Sequence, residues 1–246
     1  LLLVYATLSL ANPIDDKCPQ HVPYGAPVSK IPAGQSQYLC RVGYAAHYNY
    51  NTKVSEYVVE RIVKQNLTGN QKRGDDFRED PEVPVQFRST LKDYQASGYD
   101  RGHMAPAADF PYSAQAMSES FFLTNMMPQV PGNNRGIWKY TETYTRAWVE
   151  AYGEALVVTG TIYAQPIGNN VKVPSHIYKI VVIPSIGKSI SFLFPNQKLP
   201  VEDLPKYIVS IAEIEQYTGL SIMPKLPPQY NSLKTQKANF NEWVGQ

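Results

Sequence analysis

A single long stretch of helical periodicity stands among segments that otherwise read as strands, and this combination restricts the chain to a mixed fold. Across 134–151, the apolar or small residues Ile137, Thr141, Tyr144, Trp148 and Ala151 recur at spacings of three and four, as one buried helix face requires. Asn134, Trp138, Glu142 and Arg146 follow each other at intervals of four and form a neighbouring stripe. The helix is thus expected to carry a core face and, beside it, a polar face with an amide, a carboxylate and a guanidinium. Strand candidates lie on both sides of it. In 37–44, Tyr38, Cys40, Val42 and Tyr44 alternate with polar or small residues, and further candidates cover 57–63, 155–163, 176–183 and 189–194. Ser210 and Glu213 match a capping box that would open a short helix, and Gly219 is placed to close it. The expected fold class is α+β, with a central, mainly antiparallel sheet flanked by helices.

The remaining segments read differently. The run 1–11 is apolar, too short for a bilayer span of ~20 residues, and suits the hydrophobic region of a signal peptide. Ser9 and Ala11 supply the small residues of a cleavage site, so cutting is expected after Ala11. The basic stretch expected ahead of the run is absent, so this peptide reads as truncated, and a buried strand is the alternative. These features predict a secreted or periplasmic protein. Residues 12–246 form the expected single domain, in which 12–36, rich in Pro, Asp and Gly, reads as an irregular arm over the surface. Residues 69–98 are dense in Asp, Arg, Pro and Gly and read mostly as loop. No other stretch is apolar and long enough for a transmembrane helix, so no membrane partner is expected.

Cys18 and Cys40 are the two cysteines. An even pair in an exported chain favours a disulfide, closing a loop of about 22 residues and stabilising by ~3 kcal/mol. Two unpaired thiols are the alternative. A metal site is disfavoured, because no Cys-x-x-Cys spacing exists. A net charge of +2 excludes nucleic-acid binding by bulk electrostatics, so any such site must be a local cluster of bases.

The sharpest signal is Gly98-Tyr99-Asp100-Arg101-Gly102-His103-Met104-Ala105-Pro106. Alone, a histidine in such a segment is more often structural than catalytic. A second cluster changes that: Asn125-Met-Met-Pro128-Gln129, then Asn133-Asn134-Arg135, Glu142 and Arg146. Together these segments closely resemble the DNA/RNA non-specific endonucleases, the ββα-metal or His-Me finger nucleases. The resemblance is dense from about Arg73 to Arg146 and looser beyond, where Tyr217-Thr218-Gly219 is similar to a family element.

The resemblance implies His103 as general base, Asn134 as the one direct protein ligand of Mg2+, with Mn2+ as a substitute, and Glu142 as the acid that holds the metal's hydration shell. It implies Arg73, Arg101 and Arg146 as substrate-binding residues near the scissile phosphate. Asp100 and Asn125 match family positions beside the site and are carried as catalytic candidates. The implied reaction is endonucleolytic hydrolysis of DNA and RNA to 5′-phosphate products. A protein inhibitor is a conceivable partner in such a family, though no residue here encodes one.

The chemistry suits these residue types. Phosphodiester hydrolysis needs an activated water, neutralised phosphate oxygens and a stabilised leaving group. Neutral histidine is a base near pH 7. Mg2+ is a hard ion that keeps most of its waters, so one amide oxygen plus substrate phosphate is a sufficient grip. Asn134, at the expected helix start, would add the helix's positive end. Each residue also has a plainer role: Glu142 and Arg146 as an exposed i,i+4 pair, Asn134 as an N-cap, and Arg73 and Arg78 as members of a solvated loop with Asp75, Asp76, Glu79 and Asp80. His21, His47 and His176 read as structural. Asn66-Leu67-Thr68 is a glycosylation sequon that matters only in a eukaryotic host. The rivals are a phosphodiesterase acting on another ester and a nucleic-acid-binding homologue without catalysis.

Overall fold

The computed structural model describes residues 12–244, so the expected signal peptide at 1–11 lies outside the described residues. The element order is α1 (Pro13–Lys17), β1 (Ser36–Cys40), β2 (Ala45–Asn49), β3 (Val54–Val63), α2 (Leu91–Tyr94), β4 (Asp100–His103), α3 (Ala114–Glu119), β5 (Met126–Gln129), α4 (Pro131–Asn133), α5 (Lys139–Tyr152), β6 (Glu154–Ile167), β7 (Val171–Ile183), β8 (Lys188–Pro195), β9 (Ile208–Val209), α6 (Ile211–Thr218) and α7 (Ser232–Thr235). Seven strands form one antiparallel sheet in the order β1-β2-β3-β6-β7-β8-β9, and β4 pairs with β5 in a separate two-stranded sheet. The expected α+β class is what is found.

Period-two alternation explains the layers, because successive strand residues face opposite sides. Val58 and Ile62 of β3, Val157 of β6 and Ile177 and Val181 of β7 face a core shared with Trp138, Trp148, Met104 and the two methionines of β5. Their neighbours Tyr57, Val59, Leu156, Val158, Tyr178 and Ile180 face a second core with Ile14, Cys18, Ile211 and Ile214. Both faces are covered, so the central strands are apolar almost throughout.

The strand candidates at 57–63, 155–163, 176–183 and 189–194 all lie within observed strands, and 69–98 is mostly loop. The Ser210 capping box forms, and Gly219 closes α6 at φ +73°. Three expectations need correction. The strand expected over 37–44 ends at Cys40: the Arg41 N–H donates to the Tyr44 carbonyl at 2.8 Å, and 41–44 turns the chain back into β2. Residues 12–36 are mostly irregular, but the first half is packed rather than lying loose on the surface, since Asn12 caps α1 and Ile14, Cys18, Val22 and Ala26 are buried in the second core.

The third concerns the long helix. Residues 134–138 form a wider turn in which Gly136 leaves helical geometry at φ −106° and ψ −117°. The regular helix α5 therefore begins at Lys139, with its phase reset. Thr145 and Val149 join the buried face, Ala151 is exposed, and Trp138 is core rather than part of a polar stripe. Cys18 and Cys40 form a disulfide with Cα atoms 5.9 Å apart, tying α1 to β1.

Candidate active site

His103 ends β4, a strand whose local sequence leaves little freedom. A Cβ at Gly102 would collide with the Gln129 side chain across the ladder, so only glycine fits there. Gln129 in turn donates to Asn133 Oδ1 at 2.8 Å, and Asn133 donates to the carbonyls of Pro195 and Gln197. Trp138 Nε1 donates to the His103 carbonyl at 3.3 Å, joining the start of the helix to the strand. Strands β4 and β5 are joined by residues 104–125, which include α3, so the pair is not a tight hairpin.

One cleft of about 580 Å3 gathers Arg73, Arg101, His103, Asn134, Glu142 and Arg146. Six of the eight sequence candidates thus share a wall. Arg135 and Lys139 line it as well, and neither received a role from the sequence. Both lie just beyond Asn134, so their sequence signal was a basic pair flanking the expected metal ligand.

The imidazole is almost wholly enclosed. Its ring meets Phe121 edge-on at 5.1 Å and Phe77 at 5.6 Å, and Nε2 has no hydrogen-bond partner among the described residues. Burial, then the nearby charges of Arg73 and Arg101, push its pKa down to about 3. The ring is therefore neutral at physiological pH. Arg101 stacks on Phe77, with Cζ 4.0 Å from the ring centre, and Arg73 lies 5.4 Å from the centre of Phe121. The same two rings hold the base and both arginines.

Asn134 sits within helical backbone at φ −54° and ψ −49°, one turn past the N-terminus at Pro131. It is neither the N-cap nor the first helical residue. Its amide is oriented by Asp100: Nδ2 donates to Asp100 Oδ2 at 2.9 Å, and Arg135 grips the same carboxylate at 2.7 and 2.8 Å. Burial pulls the Asp100 carboxyl up, but the bonds from Arg135 and Asn134 prevail and hold it below its usual range. Asp100 is therefore a fixed anion that turns the Asn134 carbonyl oxygen outward. Asn125 has a different place from the one expected. It is fully buried, and its amide is occupied by Ala105 N–H, Ala105 O and Ser120 O, so it braces the chain after His103 and is closed to substrate.

Glu142 and Arg146 are not an exposed pair. Arg146 Nη1 donates to Asp109 Oδ1 at 2.9 Å, and Asp109 is only 3% exposed. Below them the sheet presents Glu60 and Lys179, both buried, with Lys179 Nζ donating to Thr159 Oγ1 at 2.7 Å. Burial raises the Glu142 pKa to about 7. Lys179, Arg146 and Arg73 oppose that rise, while Asp109 reinforces it. The Asp76–Arg78 pair at the surface fits the solvated, mutually paired loop, whereas Asp80 is buried against Arg41 and Arg73 lines the cleft. His21 and His47 are buried, bonded structural groups: His21 Nε2 to the Arg41 carbonyl, His47 between Glu56 and Ser36.

A neutral buried imidazole facing several arginines and one outward amide oxygen defines the class: a hydrolase of anionic phosphoesters. The comparisons name the family. Residues 26–229 match the family model described as DNA/RNA non-specific endonuclease. Nuclease C1 of Cunninghamella echinulata var. echinulata is 34% identical over 216 residues, covering 79% of this chain and 86% of that one. Human mitochondrial endonuclease G is 34% identical over 232 residues, covering 86% and 75%. Among solved structures, the complex titled "Crystal structure of the EndoG/EndoGI complex: Mechanism of EndoG inhibition" superposes with a TM-score of 0.78 at 29% identity, covering 86% of this chain and 93% of that one. The chain belongs to the DNA/RNA non-specific endonuclease family, and it is a hydrolase that cleaves both nucleic acids without sequence preference.

Proposed function

We propose that the cleft cuts phosphodiesters by a single-metal mechanism in which His103 is the general base and Asn134 is the direct protein ligand of Mg2+. The observation that carries this reading is the Asp100-oriented amide of Asn134 in the same cleft as a neutral, enclosed imidazole. The residues suit a hard, largely hydrated ion. Asn134 offers one amide oxygen, Glu142 lines the same cleft, and no group of three or more His, Cys, Asp or Glu side chains able to enclose a metal occurs among the described residues. When bound, Mg2+ supplies Lewis-acid stabilisation of the phosphate and the leaving oxygen.

The protein's own groups perform the rest. With Nε2 enclosed, Nδ1 is the nitrogen left to accept a proton from the attacking water. Arg73, Arg101 and Arg146 neutralise the phosphate oxygens as charge builds. Arg146 does so from a fixed position because Asp109 anchors it. Glu142 would orient water around a bound ion, and the product would keep its 5′-phosphate. Contacts to phosphate carry no sequence information, which accounts for non-specific cutting. The β4-β5 pair followed by the helix from Pro131 supports a ββα-metal motif. The Cys18–Cys40 disulfide supports an exported form in an oxidising compartment. A protein inhibitor enters only by analogy with the inhibited relative in the solved complex.

Plasmid nicking with and without EDTA, beside His103→Ala, tests the reading. Cutting should stop in EDTA, and the variant should lose about 10²- to 10⁴-fold in rate while still binding DNA. Cutting in EDTA, or an active His103→Ala, would sink it.

A further inference from the structure

A second cavity of about 660 Å3 adjoins the cleft and shares Arg73, Arg101 and Asn134 with it. Its volume lies within the ~300–1,000 Å3 of ordinary ligand pockets. Any strand whose phosphate lies between His103 and Asn134 has a neighbouring nucleotide beside this opening. We propose that the cavity is a nucleoside subsite: the base next to the scissile phosphate stacks on Tyr99, and Lys92 takes the following phosphate. This rests on the nuclease reading of the adjoining cleft.

Two observations support it. Tyr99, half-buried, precedes Asp100 and so places an aromatic ring next to the residue that orients Asn134. The wall is also rigid. Asp93 closes a capping box with Thr90 at 2.7 and 2.9 Å and accepts the Asn169 N–H at 2.6 Å. Gly168, at φ +48°, lets the β6-β7 turn approach the backbone of Asp93, where a Cβ would clash. This anchoring fixes the short helix that bears Lys92 and Tyr94. Stacking tolerates every base, so such a subsite adds grip without sequence preference.

The test uses oligonucleotides with one ordinary phosphodiester among cleavage-resistant linkages and an abasic sugar placed at each position in turn. For the wild type, one position adjoining the cut should be sensitive, with KM raised ~5- to 150-fold, the effect of removing one base–aromatic stack. Tyr99→Ala should show that loss on the intact oligonucleotide and no further loss at the abasic position. Lys92→Ala should weaken intact and abasic substrates equally. Binding of the same set by His103→Ala in EDTA, read by fluorescence anisotropy, should give the same ranking. A wild type indifferent to every abasic position, or a Tyr99→Ala variant that still discriminates, overturns the subsite while cutting persists. A wild type that cuts no oligonucleotide overturns the nuclease reading and the subsite with it.

Discussion

If Asn134 holds the cation as proposed, removing the Asp100 carboxylate isolates what orients its amide for that role. In the native site, Asn134 Nδ2 donates to Asp100 Oδ2 at 2.9 Å, which leaves Oδ1 as the end facing the cleft. A hydrogen bond to a charged acceptor contributes ~1.5–3 kcal/mol. Without it the amide samples both orientations and other rotamers, and only one of these suits a cation. Loss of an outer partner of a metal ligand typically costs about 10- to 100-fold in metal affinity. Asp100→Ala should therefore raise the Mg2+ concentration for half-maximal plasmid cutting by about 10- to 100-fold, with the rate at saturating Mg2+ within about threefold of wild type. Asp100→Asn, which retains an oxygen acceptor, should fall between the two. Arg135 is solvent-exposed, so its loss as a partner should leave the thermal midpoint within about 2 °C. Calorimetric titration with Mn2+ gives the same comparison without catalysis. An unchanged metal midpoint would refute the orienting role, and a rate loss that no metal concentration restores would place Asp100 in the chemical step.

Two further outcomes follow from the structure. Reducing the disulfide, or Cys18→Ser, removes a cross-link of separation 22 and should cost ~3 kcal/mol, lowering the thermal midpoint by about 6–12 °C. Activity at 25 °C should persist because Cys18 belongs to the core on the far face of the sheet; an unchanged midpoint would refute the stabilising role. Acid sensitivity of the metal-free protein should centre on His103. Its folded pKa of about 3 lies below the unfolded value of ~6.5, so the unfolded chain binds the extra proton and stability falls as pH drops through that window. Glu142, raised to about 7, acts oppositely between its ordinary 4.5 and 7, so the net loss should be steepest between pH 4.5 and 3. Denaturant titrations in EDTA should show His103→Ala losing as much as ~4 kcal/mol less stability than wild type between pH 6.5 and 3. Parallel profiles would refute it.

The parts legible in the sequence are those governed by short-range repetition. Strands β3, β6, β7 and β8 show themselves by β-branched and aromatic density, and α6 by its cap and closing glycine. His103, Asn134, Glu142 and the arginines were legible through motif resemblance, and the fold brings them to one cleft. What failed depended on contacts distant in sequence or on a single backbone angle. The turn at 41–44 interrupts an alternation that continues unbroken in the letters. Gly136 resets the helix phase, which no periodicity count detects. Asp109, Glu60 and Lys179 look like ordinary surface charges in sequence, because what buries them is the packing of α5 on the sheet. Asn125 matched a family position, yet only its backbone partners reveal that it braces the chain.

The charge arrangement ties the site to the sheet beneath it. Five cationic side chains, Arg73, Arg101, Arg135, Lys139 and Arg146, line a cleft in a protein whose net charge is only +2. Without those five, the chain has more acids than bases, so the field that draws a polyanion is concentrated at the cleft. Holding cations close together requires anions behind them. Asp100 fixes Arg135, and Asp109 fixes Arg146 from a buried position. Buried carboxylates are themselves costly. Lys179, reaching in from β7, offsets part of that cost at Glu60, Asp109 and Glu142, all of which sense its charge. The strands thus do more than carry a core: one buried lysine among the sheet's apolar residues offsets the burial of the Asp109 carboxylate that holds Arg146 in place and opposes the rise of the Glu142 pKa.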